Sequence, residues 1–396
     1  MVSVGHIRET RWSPFALQER ELGQASKWGL VSDGDLNLLR VIALAVAVTW
    51  LPLVVLTIIE GTAFGNSVAM PFFKDHIPYG RYLVALPLLL WMDRLVERRT
   101  ALAVRNLRSS GLIAEGDEER FQAVFAMVTR AWRSKAVRWG LVALTYATAG
   151  VSFVLTRDVD VSSWIFVDKQ GAASLSLAGA WNLLVSAALV RLLFLRALWK
   201  LTVWAWLLDR LARLRLQINP MHPDGRCGLR FFGATQLAFS PLIAAMGVQL
   251  GCLIAVAVRF QGLQIASFKV VGAAFVALSL IILLGPLVVF ARQAWLAKER
   301  AENEFSAWAA LAAKHMSAQL VESRHGHLPG QLSTAEISSM SDASALFDRM
   351  LATWPIPIDT RQVVIVILVA SVSTLLPLVA LLPLADIMQR LLKILL

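Results

Sequence analysis

Long apolar runs alternate with charged segments along the whole chain. A run of about 20 apolar residues lets one α-helix cross the roughly 30 Å hydrocarbon core of a bilayer. Seven runs approach or reach that length, and the second and third are the shortest. They cover residues 41–59, 82–92, 141–155, 172–190, 234–258, 270–291 and 363–385. The pattern predicts an all-α fold, a polytopic transmembrane helix bundle with about seven spans.

Lysine and arginine are concentrated in alternate connecting segments. About 27 of them fall in segments 1–40, 94–138, 209–233 and 292–362, and about 8 fall in the other loops and the tail. Positively charged loops resist translocation, so these four segments, including the N-terminus, are predicted to be cytoplasmic. The last span then leads to an outer tail, 386–396, which is predicted to form a short amphipathic helix at the membrane interface.

This topology divides the chain into eight parts, in which cytoplasmic segments separate pairs of spans. In chain order the parts are a cytoplasmic N-terminal segment (1–40), spans one and two (41–93), a cytoplasmic helical loop (94–138), spans three and four with a basic extension (139–208), a cytoplasmic loop with the sequence His-Pro-Asp-Gly (209–233), spans five and six (234–291), cytoplasmic amphipathic helices and a loop (292–362), and span seven with the interfacial tail (363–396).

The composition supports a membrane protein and argues against a nucleic-acid partner. Hydrophobic residues make up 57% of the chain, charged residues only 16%, and the mean hydropathy is +0.62. A soluble domain has about a quarter of its residues charged, so this chain has too little polar surface to cover a globule in water. The lipid bilayer is the expected partner. The net charge of +11 is explained by the basic cytoplasmic loops, and no nucleic acid is predicted to bind.

Two cytoplasmic stretches carry apolar residues at helical spacing. Phe121, Phe125, Val128 and Trp132 form one stripe, and a second stripe runs from Phe305 through Trp308, Ala312 and Met316. Both stretches are predicted to be amphipathic helices that extend the bundle into the cytoplasm. The simplest interpretation is that the two stripes pack on each other. The alternative is that one of them binds a cytoplasmic protein partner or mediates self-association.

The loop after the fourth span is the sharpest local signal in the chain. Two prolines and two glycines occur within ten positions, from Asn219-Pro220 to Gly228, and they force a defined non-helical turn. Backbone N–H groups of such a loop can bind an anion together with His222 and Arg226, and Asp224 can orient His222 or hold a cation. Alternatively the loop is turn chemistry alone, in which Asp224 accepts from nearby amides while Gly225 and Gly228 adopt positive φ.

Arg191 is the arginine closest to the hydrocarbon. It follows the apolar run 172–190, and the same helix continues through Arg196 and Lys200 into the cytoplasm. One interpretation is that Arg191 extends its charge to the inner interface. The other is that it attracts anions into a cytoplasmic vestibule above the His222–Asp224 loop. The candidate ligand or ion-binding residues are therefore His222, Asp224, Gly225, Arg226, Gly228 and Arg191.

A few polar and small residues within the spans are expected to mediate helix contacts. Gly247 and Gly251 form a small-xxx-small face suited to close helix packing. Asn182 and Gln249 are neutral polar residues that either join helices by hydrogen bonds or line a pore. Cys227 and Cys252 are predicted to lie roughly 25 to 30 Å apart and to stay reduced.

Four sequence segments resemble a family of functionally uncharacterised bacterial multi-spanning inner-membrane proteins. They are 81–88 (Arg-Tyr-Leu-Val-Ala-Leu-Pro-Leu), 176–181 (Ser-Leu-Ala-Gly-Ala-Trp), the His-Pro-Asp-Gly-x-x-Gly-Leu loop at 222–229, and 354–361 (Trp-Pro-Ile-Pro-Ile-Asp-Thr-Arg). The chain has Cys227 where the family has the first glycine of a Gly-Gly-Leu triplet. The resemblance implies a multi-pass protein of the bacterial inner or plasma membrane, and it brings no known activity.

Two functions from different classes remain. The first is a transport or channel-like protein with an anion-attracting cytoplasmic vestibule, and the second is a membrane-anchored scaffold or signalling component. The sequence has no phosphate-binding glycine loop, dinucleotide pattern, nucleophile elbow or zinc-protease helix. Enzymatic activity is therefore disfavoured, and no catalytic residue, metal site or cofactor is predicted. The histidines His315, His325 and His327 lack acidic or cysteine ligands at useful spacing.

Overall fold

The structure is a computed structural model that describes residues 14–15, 31–32, 35–64, 67–157, 163–169, 172–323 and 334–379. Within these ranges the paired strands form two short antiparallel hairpins, β1 (Val31–Ser32) with β2 (Asp35–Leu36) and β3 (Phe166–Lys169) with β4 (Ala172–Leu175). The predicted interfacial tail and the histidines His325 and His327 lie outside the described residues.

Helices make up nearly all of the remaining described chain. In order they are α1 (Leu38–Ile59), α2 (His76–Pro78), α3 (Leu86–Ser109), α4 (Glu118–Trp132), α5 (Lys135–Arg157), α6 (Leu177–Trp181), α7 (Ala187–Leu211), α8 (Arg230–Gln236), α9 (Ser240–Gln261), α10 (Lys269–Leu284), α11 (Ala291–Ser323), α12 (Thr334–Ala352) and α13 (Thr360–Val379). Wider π-helical turns, Tyr79–Ala85 and Asn182–Ser186, join α2 to α3 and α6 to α7. Tighter 3₁₀ turns join α8 to α9 and α10 to α11.

Six helices in the described part of the chain are long and apolar enough to cross a membrane. They are Leu38–Ile59, Glu118–Val154, Leu177–Leu211, Arg230–Gln261, Ile265–Leu311 and Thr360–Val379. This confirms the predicted all-α, polytopic helical class. The predicted second span, 82–92, is not among them, because Arg81 on one side and Asp93 with Arg94 on the other interrupt its apolar stretch.

The helix through 82–92 nevertheless runs from one end of the bundle to the other. Before its start, Met70 accepts a 3.1 Å backbone hydrogen bond from Trp164 in the loop that precedes α6. After its end, Leu112 accepts a 2.8 Å bond from Gln217 in the loop that follows α7. Neighbouring helices bury one side of it; the buried side chains include Tyr82, Leu86, Leu89 and Met92. Leu83 and Trp91 on the other side are exposed, so only part of this helix needs the hydropathy of a lipid-facing span.

The closest helix contact joins α9 and α13. A Cβ atom at Gly247 would lie 2.0 Å from Ser373 Oγ, and one at Gly251 would lie 2.3 Å from the carbonyl oxygen of Thr374. The two helices run parallel, because Gly233 at the start of the α8–α9 rod meets Gln362 at the start of α13. The predicted small-xxx-small face is confirmed.

The two apolar stripes of segments 94–138 and 292–362 pack mainly on different helices. Phe121 and Val128 are buried where α4 lies against α7. Phe305 of α11 instead stacks on Phe347 of α12, with ring centroids 4.5 Å apart. The expectation that the stripes pack on each other is therefore wrong, because α7 covers the first stripe and α12 supplies a separate partner for the second.

Candidate functional site

The loop at 219–229 is organised around the carboxylate of Asp224. Its oxygens accept backbone N–H bonds from Arg226 (2.8 Å), Gly228 (3.0 Å) and Arg230 (3.2 Å). The Nδ1 atom of His222 lies 3.0 Å from the same carboxylate. The amides that could have held a bound anion are thus already occupied by Asp224. Of the two interpretations of this loop, the geometry favours turn chemistry.

Backbone conformation and burial in the loop agree with a structural role. Gly225 and Gly228 have φ of +65° and +82°, as expected for glycine in tight turns, and Cys227 between them has φ of +59°. Partial burial opposes ionisation of Asp224, but the three amide bonds and His222 outweigh it and lower the pKa of this carboxyl. Burial and the nearby Asp224 charge raise the pKa of Cys227 to about 11, so its thiol stays protonated.

The loop attaches the start of α13 to the bundle. The carbonyl of Gly225 accepts a 3.3 Å hydrogen bond from the Trp354 amide. Arg226 and Arg230 lie 3.7 and 3.1 Å from carboxylate oxygens of Asp359, next to the first residue of α13. The predicted site residues His222, Asp224, Gly225, Arg226 and Gly228 are therefore together in one loop, where they hold two segments of the chain in place.

Arg191 is not part of that loop site. It lies near the start of α7, and 20 further residues of helix (191 to 211), or about 30 Å, separate it from the end that leads to the loop. The cytoplasmic vestibule that combined Arg191 with His222 and Asp224 is not formed. The sequence interpretation took the end of the apolar run at 190 as the inner end of the span, whereas the membrane-capable helix extends over Leu177–Leu211.

Arg191 instead lines a cavity of about 440 Å³ near the opposite end of the bundle, which is the outer end in the topology that the loop charges predict. Both π-helical turns face this cavity. The hydroxyl of Tyr82 in the first turn donates to the side-chain oxygen of Asn182 in the second. The other walls come from α5, α9 and the segment around Trp164. π-Helical turns are rare and occur frequently at functional sites.

Two glycines allow the segments around the cavity to approach closely. A Cβ atom at Gly80 would lie 2.4 Å from Cys252 Sγ on α9, and one at Gly179 would lie 2.4 Å from the carbonyl oxygen of Ile165. Any other residue at either position would push these elements apart. Because Gly80 immediately precedes Arg81, this close contact fixes where the Arg81 backbone enters the cavity wall.

One buried carboxylate, Asp75, also lines the cavity. Asp75 accepts hydrogen bonds from the indole N–H of Trp164 and the amide of Ile77, both at 2.9 Å. Burial raises the pKa of Asp75, although these two bonds and the positive charge of Arg81 partly offset that effect. Asp75 and Arg81 both line the cavity, and the positive charge of Arg81 favours the ionised form of this carboxyl.

Arg191 has no such counterion in the described part of the chain. Its Nη2 donates to Ser152 Oγ at 3.2 Å, while its buried Nη1 has no hydrogen-bond partner among the described residues. The charged residue that acts on it most strongly is Arg81, another cation. A guanidinium within a membrane bundle normally finds a carboxylate, a carbonyl or water. Arg191 therefore offers an unused donor and an uncompensated positive charge.

A second cavity, of about 490 Å³, meets the first at the two arginines. Arg81, Arg191, Ala187 and Leu253 line both cavities. The second cavity continues between α7, α9 and α10. Its further lining is apolar apart from Thr148 and Gln249; the other residues are Val190, Phe194, Leu195, Met246, Leu250 and Phe275. The arginine pair thus lies at the junction of two spaces inside the bundle.

Sequence reasoning found Arg191 but missed the residues around it. Asn182 was identified as a polar residue that joins helices or lines a pore; it accepts the hydrogen bond from Tyr82 that joins two helices, and it lines the cavity. Arg81, Tyr82, Asp75 and Trp164 carried no signal, because a helical pattern does not reveal a π-helical turn and the loop before α2 has no motif. No group of three or more His, Cys, Asp or Glu side chains suited to a metal ion occurs among the described residues.

Comparisons with protein-family models, curated proteins and solved structures find no match to this chain. Functional assignment therefore depends on the chemistry of the site itself.

Proposed function

We propose that the protein transports a small organic anion with an apolar body, and that Arg191 binds the anionic group. The observation that carries this proposal is the buried Nη1 of Arg191, which has no hydrogen-bond partner among the described residues and lines a cavity with two arginines and one carboxylate, Asp75, in its described lining. An uncompensated buried charge is costly, and an anionic ligand would offset that cost. The expected ligand groups are carboxylate, sulfonate or phosphate.

Charge balance and cavity lining narrow the ligand class. The described cavity lining holds two guanidinium groups, Arg81 and Arg191, and one carboxylate, Asp75. The balance is one net positive charge, which suits a monoanion. Most other lining side chains are aliphatic or aromatic, including Phe153, Trp164 and Phe260. Such walls favour an aliphatic or aromatic body of the ligand over a sugar or a hydrated ion.

Transport, rather than binding alone, is supported by the path that the two cavities form. The first cavity reaches the exposed side chain of Gln261 at the end of α9, and the second continues deeper into the bundle from the arginines. A ligand held at the arginines would have the first cavity, which reaches Gln261, on one side and the second cavity on the other. The π-helical turn that contains Arg81 and the one that precedes Arg191 are the elements that could change helical register as the ligand passes.

The test uses radiolabelled benzoate as the probe, with purified protein in lipid vesicles. We expect saturable uptake of benzoate, with benzamide as a neutral competitor of the same shape that does not inhibit. Arg191→Gln removes the charge and should lower benzoate binding by about tenfold to a hundredfold, as expected for lost charge-assisted hydrogen bonds. Arg191→Lys should restore part of the binding.

Arg259→Gln is the matched control, because Arg259 is an exposed arginine near the same end of the bundle and its guanidinium lies over the Phe260 ring. This variant should take up benzoate normally. Equal inhibition by benzamide and unlabelled benzoate, or uptake by Arg191→Gln at the level of the unmodified protein, would refute the proposal.

A second candidate function, a scaffold that binds a cytoplasmic protein, is supported by an apolar face on α11. Beyond the contact of Phe305 with Phe347, Trp308 is 49% exposed and Leu311 is 69% exposed. Site-specific photo-cross-linking from position 308 in cells should yield one discrete protein adduct if this function is correct. Adducts with lipid alone, or adducts that persist unchanged after Leu311→Ser, would argue against it.

A further inference from the structure

Three arginines from three different helices surround a third cavity, of about 340 Å³, at the end of the bundle where the 219–229 loop lies. Arg99 belongs to α3, Arg230 begins α8, and Arg361 lies in the first turn of α13. All three side chains are exposed. In the topology that the loop charges predict, this end faces the cytoplasm.

The charges of this cavity do not cancel. Asp359 is the acidic residue in its described lining, and it is already paired with Arg230 at 3.1 Å and with Arg226 of the neighbouring loop at 3.7 Å. Arg99 and Arg361 therefore add positive charge that the lining does not neutralise. A phosphate oxygen accepts well from guanidinium groups, which present their N–H donors in a fixed fork.

Apolar residues lie one helical turn deeper than the arginines. On α3, which runs toward this end, Leu95 precedes Arg99 by four positions. On α13, which runs away from it, Ile365 follows Arg361 by four positions, and both apolar residues line the cavity. Ala234 and Leu237 continue this apolar surface below Arg230 on the third helix. Each wall thus places a cation at the membrane surface and an apolar side chain toward its interior.

The walls are held together independently of any ligand. Thr235 donates its hydroxyl to the backbone carbonyl of Arg99 at 3.3 Å, which ties α8 to α3. Gln362 of α13 is buried against Gly233, where a Cβ atom would lie 2.3 Å from its side-chain nitrogen. The spacing of the three arginines is therefore set by the fold before a ligand arrives.

We propose that this cavity binds an anionic phospholipid, with the phosphate on Arg99 and Arg361 and an acyl chain over Leu95 and Ile365. Basic pockets between membrane helices on the cytoplasmic side are suited to acidic head groups. Val364 and Leu368 are exposed further along α13, so the apolar surface continues where an acyl chain would lie. A soluble phosphate would use only the arginines and leave this surface uncovered. The site is separate from the Arg191 cavity.

The experiment measures lipid retention by native mass spectrometry, on protein extracted from mixed bilayers of phosphatidylcholine and phosphatidylglycerol. The unmodified protein should retain phosphatidylglycerol preferentially. The double variant Arg99→Gln/Arg361→Gln should retain about tenfold less of it, with unchanged phosphatidylcholine. The control is Arg213→Gln, because Arg213 is 66% exposed at the same end but pairs with Asp209 outside the cavity. It should retain both lipids normally.

Two further measurements distinguish loss of the binding site from loss of folding, and a bound lipid from a bound soluble anion. Arg99→Lys/Arg361→Lys preserves charge and should keep most of the preference, which separates loss of the site from loss of folding. Added glycerol phosphate, the soluble counterpart of the head group, should not displace the lipid. Displacement by glycerol phosphate would assign the site to a free anion and overturn the proposal. Equal retention of the two lipids by the unmodified protein would overturn it as well.

Discussion

Lys200 donates to Asp93 at 2.5 Å, and this ion pair joins α7 to α3 inside the bundle. The Lys200 side chain is only 2% exposed, and Arg196 lies 3.3 Å from the other oxygen of the same carboxylate. The ammonium group also lies 5.2 Å from the ring of Phe15 and 5.1 Å from that of Trp132. One carboxylate and two aromatic rings thus stabilise a cation that water does not reach.

Removing Lys200 from this pair should destabilise the protein. Lys200→Met leaves Arg196 as the partner of Asp93, whose side chain is 31% exposed, so the expected loss is about 1–3 kcal/mol. Thermal unfolding in detergent, followed by tryptophan fluorescence, would measure the loss. The double variant Asp93→Asn/Lys200→Met should recover part of it, because the charge that then loses its counterion is Arg196, which is 42% exposed and can be solvated by water. A double variant less stable than the single one would contradict this account.

Glycine at positions 247 and 251 should be required for the contact between α9 and α13. Gly247→Ala would place a methyl group 2.0 Å from Ser373 Oγ, and Gly251→Ala would place one 2.3 Å from a backbone carbonyl. We expect each to cost about 1–3 kcal/mol through overpacking. Gly272→Ala is the control, because it lies in α10 with nothing within 4 Å of the added carbon. That substitution should be neutral or slightly stabilising.

The loop around Asp224 should lose stability in acid. The folded protein lowers the pKa of Asp224, so the carboxylate contributes stability above the pKa of the unfolded chain, about 4. That contribution is lost as the pH falls through the lower folded pKa. Unfolding temperature measured from neutral pH down to about pH 3 should therefore decline more steeply in the unmodified protein than in Asp224→Asn. Parallel pH profiles would show that Asp224 does not supply the acid dependence.

The hydrogen bond between Tyr82 and Asn182 should stabilise the two π-helical turns. Tyr82→Phe removes the donor and leaves the Asn182 oxygen buried without it, which costs about 1–3 kcal/mol. The control is Tyr146→Phe, because Tyr146 is 50% exposed and its hydroxyl bonds to the Leu184 carbonyl at 3.3 Å. Its loss should cost little, since water can replace an exposed partner. Equal unfolding temperatures for the two variants would argue against a special role for the buried bond.

Much of the fold can be predicted from the chain because apolar runs longer than a bilayer is thick have few alternatives to membrane helices. The helix through 82–92 shows the limit of this argument. Hydropathy measures suitability for lipid, but other helices bury one side of this helix, so the charged residues at its ends are tolerated. The contact at Gly247 and Gly251 could be predicted since small residues at that spacing serve chiefly for close packing.

The candidate site depended on the tertiary structure. In the sequence, Arg191 and the loop around Asp224 follow one another and suggest a single cytoplasmic site, but a straight helix separates them by about 30 Å. Whether the loop amides are available to a ligand depends on where the Asp224 carboxylate points. Tyr82 and Asn182 are 100 positions apart in the chain and meet only when their helices pack. The sequence alone determined which helices are apolar enough to enter a membrane, because the hydropathy of a run depends only on its own residues. The tertiary structure decided which charged groups lack a partner, because the partners come from distant segments of the chain.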